Sequence, residues 1–127
     1  MIAQIELQKA IYSTLSESFN VTEIKSTEPV FPFIELGNII ERNVSNAIYR
    51  MGTFNVTIHT FSKGYDSTES KTLNEYVKSK MLQLENVNGF NLDYVKLDSI
   101  TNLNETETDG TVFHGVLFFN VHLTELK

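Results

Sequence analysis

The sequence predicts an α+β domain. The expected order is helix, hairpin, helix, hairpin, with a mostly antiparallel four-stranded sheet and the two helices packed on one face. Three observations carry this. Two stretches repeat apolar residues at helical spacing, four others read as strands with period-two patterning, and turn-forming residues separate them.

The first helix is expected from about Gln4 to Phe19. Leu7, Ile11, Leu15 and Phe19 form one sloping stripe, widened by Ile5 and Tyr12 and interrupted by Gln4 and Gln8. Ser16, Ser18 and Asn20 weaken the helix and mark its end. The polar run from Asn20 to Glu28, closed by Pro29, reads as a turn or connector. Phe31 to Gly37 reads as a strand, with Pro32 at a strand start or sheet edge because it has no amide to donate. Arg42 to Asn46 has turn chemistry. In the second strand, Met51 to Phe61, Phe54, Val56 and Ile58 point one way and Asn55, Thr57 and His59 the other. The two strands make the first hairpin.

Ser62-Lys63-Gly64 breaks that strand. Asp66 and Glu69 resemble a capping box for a helix running to about Glu85. Leu73, Val77, Met81 and Leu84 line its inner face beside Tyr76, and Asn88-Gly89 is a stop signal. In the third strand, Phe90 to Leu103, Leu92, Tyr94 and Lys96 share one face and Val95 and Leu97 the other. Asn104 to Gly110 is a polar hairpin tip. The last strand, Thr111 to Leu126, carries Phe113, Leu117, Phe119, Val121 and Leu123 on one face. Its other face holds Val112, His114, Val116, Phe118, Asn120 and His122. A strand apolar on both faces belongs inside a sheet with cover on each side. With two helices available, a neighbouring subunit is the expected second cover.

The 127 residues are one domain's worth, so a single domain over 1–127 is expected. Apolar residues make up 41% of the chain and mean hydropathy is -0.15, a globular composition. Ten basic against sixteen acidic residues give a net charge of -6, which argues against sequence-blind nucleic-acid binding and against anionic membranes. No apolar run is long enough to span a bilayer, and the N-terminus lacks the features of a signal peptide. A cytosolic protein, or one inside an assembly built there, is expected. The four Asn-x-Ser/Thr matches at Asn20, Asn43, Asn55 and Asn104 then read as chance. Zero cysteine excludes disulfides, zinc-thiolate and iron–sulfur sites and a thiol nucleophile.

No residue pattern reads as catalytic, cofactor-binding or metal-binding. His114 and His122 lie too far apart on one strand to share a metal, and spacing fixes no carboxylate near His59. No serine sits in G-x-S-x-G, and the six glycines form no phosphate loop. The acidic tip residues Glu105, Glu107 and Asp109 lack calcium-loop spacing and read first as a soluble turn. Phe31, Phe33 and Phe61 bracket the first hairpin. They read equally as core packing and as a protein–protein contact, because aromatic residues anchor interfaces.

The chain resembles the tail-terminator, or tail-completion, proteins of long-tailed bacteriophages. The likeness runs over nearly its whole length. A short amphipathic helix comes first, then the Pro-aromatic-aliphatic strand Pro29-Val30-Phe31-Pro32-Phe33-Ile34-Glu35-Leu36-Gly37. The strand Phe54 to Ser62 precedes a helix beginning around Asp66, and Val112 to Leu123 closes the chain. The resemblance implies a structural, non-enzymatic virion protein at the tail–neck junction, assembled in the host cytoplasm. It implies a ring, usually a hexamer, that caps the tail tube, ends its polymerisation and offers its other face to the head connector. The partners implied are other copies of the chain, the major tail tube protein and the head–tail connector, with DNA passing through unbound and no membrane. On this reading Phe31, Phe33, Phe61, Val116 and Phe118 are candidate interface residues. Glu105, Glu107 and Asp109 would line the lumen or meet a neighbouring ring. The alternatives are a neck or head-completion protein on the portal-side connector and a small cytosolic ligand-binding domain.

Overall fold

The computed structural model describes residues 2–23, 30–43 and 51–126. The elements are α1 (Ala3–Leu15), β1 (Asn20–Thr22), β2 (Phe33–Asn43), β3 (Met51–Gly64), α2 (Thr68–Leu82), β4 (Phe90–Glu107) and β5 (Gly110–Glu125). The strands form one sheet in the order β1-β2-β3-β5-β4.

This corrects the expected sheet. It has five strands, and it is mixed: β1 runs parallel to β2, with Asn20, Val21 and Thr22 beside Phe33, Ile34 and Glu35. The helix-hairpin-helix-hairpin order therefore fails, because a strand stands between α1 and the first antiparallel pair. Three residues, two of them polar, carry too little periodicity to be read as a strand; what makes them one is the edge of β2 beside them. Pro29, which would close the connector, and most of the expected turn Arg42–Asn46 lie outside the described residues.

The long strands reach further than their patterns suggest. β3 continues through Ser62-Lys63-Gly64, paired with β5 as far as Gly64↔Thr111. β4 continues to Glu107, so the tip shrinks to Thr108 and Asp109, and Gly110 takes a φ of 136° that other residues rarely adopt. β5 lies inside the sheet, between β3 and β4.

Register sorts the strands into two faces. Phe54↔Val121, Val56↔Phe119 and Ile58↔Leu117 meet on one face. There they are buried with Leu7, Ile11 and Leu15 of α1 and Leu73, Val77 and Met81 of α2 in one core cluster. Ile5 and Tyr12, expected to widen the α1 stripe, are exposed, and Phe19 lies beyond the helix, edge-on to Tyr76. α2 begins later than a capping box at Asp66 requires: the Asp66 carboxylate accepts from the Thr68 amide at 3.0 Å, ahead of the helix. The helix stops at Leu82, and Gly89 serves instead the tight turn from Val87 to Phe90.

β4 contains two bulges, between Leu92 and Tyr94 and between Leu97 and Ser99. The first overturns the expected face of Leu92. It opposes Leu123 and packs on the core with Val95 and Leu97, whereas Tyr94 opposes His122 on the other face. α2 is also pinned by polar groups. The Thr60 hydroxyl donates to Asn74 Oδ1 at 2.5 Å, and Asn74 Nδ2 donates to Asn102 at 2.9 Å. A Cβ on Gly115 would overlap Asn74 Oδ1 and Thr60 Oγ1, so only glycine lets this hook reach the sheet.

Candidate assembly surface

Both described helices lie on one face of the sheet. The opposite face carries the alternate residues of β2, β3, β5 and β4, and its chemistry differs along its length.

At one end is a ladder of rings. Phe31 lies 5.5 Å from Phe33, Phe33 stacks on Phe61 at 4.7 Å, and Phe61 stacks on His114 at 4.2 Å. His59 Nδ1 is 2.8 Å from His114 Nε2. The two imidazoles spend these nitrogens on each other, one donating and one accepting. Phe33 and Phe61 are only 4% and 6% exposed. Of the five apolar residues expected at an interface, these two are therefore enclosed by the chain itself, Phe31 and Val116 are half-buried, and Phe118 is exposed.

The middle of the face is amide-rich. Asn55 donates to Asn120, and Arg42 Nε donates to Asn55 Oδ1 at 2.6 Å. At the far end the β4 bulge presents Asp93 to β5. His122 Nδ1 lies 2.6 Å from Asp93 Oδ2, the Thr124 hydroxyl donates to the same oxygen at 2.6 Å, and Asn91 donates to Oδ1 at 2.6 Å. Burial pushes the Asp93 carboxyl upward, but the hydrogen bonds from Thr124, His122 and Asn91 outweigh it and hold the group below its usual range. Tyr94 stacks on His122 at 5.3 Å, with the Lys96 ammonium 4.6 Å from the Tyr94 ring centre.

A carboxylate holding an imidazole is half of a hydrolytic relay. Here the neighbouring hydroxyl, Thr124, donates to the carboxylate rather than to the imidazole, so it is not placed as a nucleophile on His122. Among the described residues no group of three or more His, Asp or Glu could hold a metal ion.

The three tip acids are not equivalent. Lys63 of β3 reaches across to Asp109 at 2.9 Å and Glu107 at 3.1 Å. Hydrogen bonds to Asp109 and then Glu107 hold the Lys63 ammonium above its usual range, and the Lys63 bond holds Asp109 below its own. Glu105 stands exposed on β4, two residues earlier. Lys63 and Asp93 were invisible as partners in the sequence, because strand extension and bulging set their neighbours. The same holds for Ile40 and Leu103, which are 55% and 50% exposed on this face near opposite edges of the sheet.

No protein-family model matches the chain, and no curated protein matches it. Among solved structures, a chain described as "Virion of native gene transfer agent (GTA) particle" superposes with a TM-score of 0.82. It covers 96% of this chain and 97% of the other at 13% sequence identity. At that identity the likeness is one of fold.

Proposed function

We propose that this chain is a structural protein of a phage-type virion, a ring-forming tail terminator that caps the tail tube and forms the head–tail joining surface. The observation that carries the reading is the fold match to a chain of a gene transfer agent virion, which covers 96% of this chain and 97% of that one. The residue-level resemblance to tail terminators points the same way. So does a sheet face rich in aromatic, amide and imidazole groups and left open by both described helices, because ring subunits bury such surfaces against unlike neighbours. In this reading the partners are further copies of the chain, the tail tube protein and the head connector. The protein resides at the tail–neck junction and does no chemistry. Phe118, Phe31 and Val116 offer apolar contact, and Glu105 is the tip acid that Lys63 leaves available for the lumen or a neighbouring ring.

The test is to add purified protein to purified tail tubes, and to lysates of a phage lacking its terminator, and to image both by negative-stain electron microscopy. Tubes capped at one end, and tails restored to uniform length and joined to heads, are expected. A neck ring on filled heads without tube binding would replace the terminator assignment with the head-completion one. Binding to neither would remove the virion role.

A further inference from the structure

We propose that the outer edge of β4, residues 99–107, joins the sheet of a second copy of this chain along that copy's β2 edge, with Leu103 set against Ile40. The proposal deepens the ring reading by naming the surfaces that meet.

The two edges of the sheet are unlike. On one side β4 pairs with β5 without interruption from Ser99↔Phe118 to Glu107↔Gly110. Its outward amides and carbonyls face no described strand, because β4 ends the sheet. Proteins blunt such edges with bulges, prolines or lysines. Both bulges of β4 lie before Ser99, and residues 99–107 contain neither proline nor lysine. On the other side, β1 covers β2 only along Phe33–Glu35, and the outer side of β2 beyond Glu35 meets no strand among the described residues; it is interrupted by a bulge between Leu36 and Ile39 and is regular from Ile39 onward, around Ile40.

The directions match. β2 and β5 run antiparallel to β3, and β4 runs antiparallel to β5, so β4 and β2 point opposite ways. Placing β4 of one copy beside β2 of an equally oriented copy therefore makes an antiparallel ladder. Repeating the step uses two different edges each time, the heterologous contact from which rings are built.

The side chains match as well. Ile40 opposes Asn55 and Leu103 opposes His114, so both lie on the helix-free face. Each is a large aliphatic residue left half exposed, and facing one another they cover both. In that register Thr101 meets Arg42 and Asn102 meets Glu41, so no like charges are opposed along the regular part of β2. Pairing β4 with itself would leave Ile40 uncovered.

A chain without cysteine makes the test clean. Ile40→Cys and Leu103→Cys are made separately, one with a size tag, mixed at high concentration and mildly oxidised. Facing residues on antiparallel strands are within disulfide reach. Mixed 40–103 dimers are expected to exceed same-site dimers several-fold. The double variant is expected to give a ladder of multiples ending at the ring size. Dominant 103–103 dimers would mean that β4 pairs with itself and would overturn the proposal. Cross-linking no greater than that of a Lys71→Cys control on α2 would overturn it too. Light scattering on the same samples separates this failure from that of the ring reading. Multimers lacking the 40–103 bond would leave a ring held by other surfaces. A monomer without cross-links would refute the edge join as a self-contact and leave the virion role to the tail-tube experiment. Both substitutions replace exposed side chains, and thermal melting matching the parent chain verifies folding.

Discussion

The two faces of the sheet are made from the same strands and held by different physics. The helix-covered face is mainly aliphatic and aromatic, closed by α1 and α2 and crossed by the Thr60–Asn74–Asn102 hook. The other face is a chain of specific partners: stacked rings, paired amides, a histidine on a carboxylate. Leu117 and Phe118 are neighbours in the chain, yet Leu117 is fully buried and Phe118 is 37% exposed. The first face holds most of the buried apolar side chains, and the second is held by ring, amide and ion contacts.

The largest expected effect breaks the covered face. Leu117→Ala should cost about 3 kcal/mol in denaturant unfolding, because the side chain is fully buried in the core cluster, with strands paired on both sides of β5, and the cavity cannot fully collapse. Phe118→Ala should cost less than about 1 kcal/mol. Equal losses would mean that the open face is packed as tightly as the core. Gly115→Ala should come next, at about 2 kcal/mol, because its methyl displaces the Asn74 hook. Adding Asn74→Ala should recover part of the loss; failure to recover would place the clash at the Thr60 hydroxyl instead.

The smallest effect sharpens the comparison through pH. Asp93 has a folded-state pKa below its unfolded one, so its contribution is present above the unfolded value and is lost as pH falls through the folded value. Asp93→Asn should therefore lower stability at neutral pH, and the gap to the parent should close in acid, once pH has fallen below the folded value. Unfolding curves at neutral and acid pH measure it. A gap that persists in acid would mean that the charge is not what the network uses.

Much of the covered face was legible. Leu7, Ile11 and Leu15, then Leu73, Val77 and Met81, repeat at helical spacing, and Phe54, Val56 and Ile58 alternate, because burial on one side imposes a period. Ile5 and Tyr12 misled because periodicity shows a stripe but not its width. β1 was hidden by its brevity, and the ends of β3 and β4 by Ser, Lys, Asn and Glu, whose strand conformation comes from pairing with β5 rather than from propensity. The open face was the least legible. His59 meets His114, Asp93 meets His122 and Lys63 meets Glu107 and Asp109 only once register, bulges and strand length are fixed.

The bulges of β4 also govern how the chain can change length. Every strand residue added or lost turns those beyond it to the opposite side, unless the change falls where a residue is already unpaired. Asp93 and Asp98 are such places. Removing either would leave Leu103, Glu105 and Glu107 facing as they do. One residue removed between 99 and 107 would turn part of that edge inside out. A deletion at Asp98 is therefore expected to be tolerated better than one in the nine residues that follow, whereas a deletion at Asp93 keeps the facing but removes the acceptor of His122, Thr124 and Asn91.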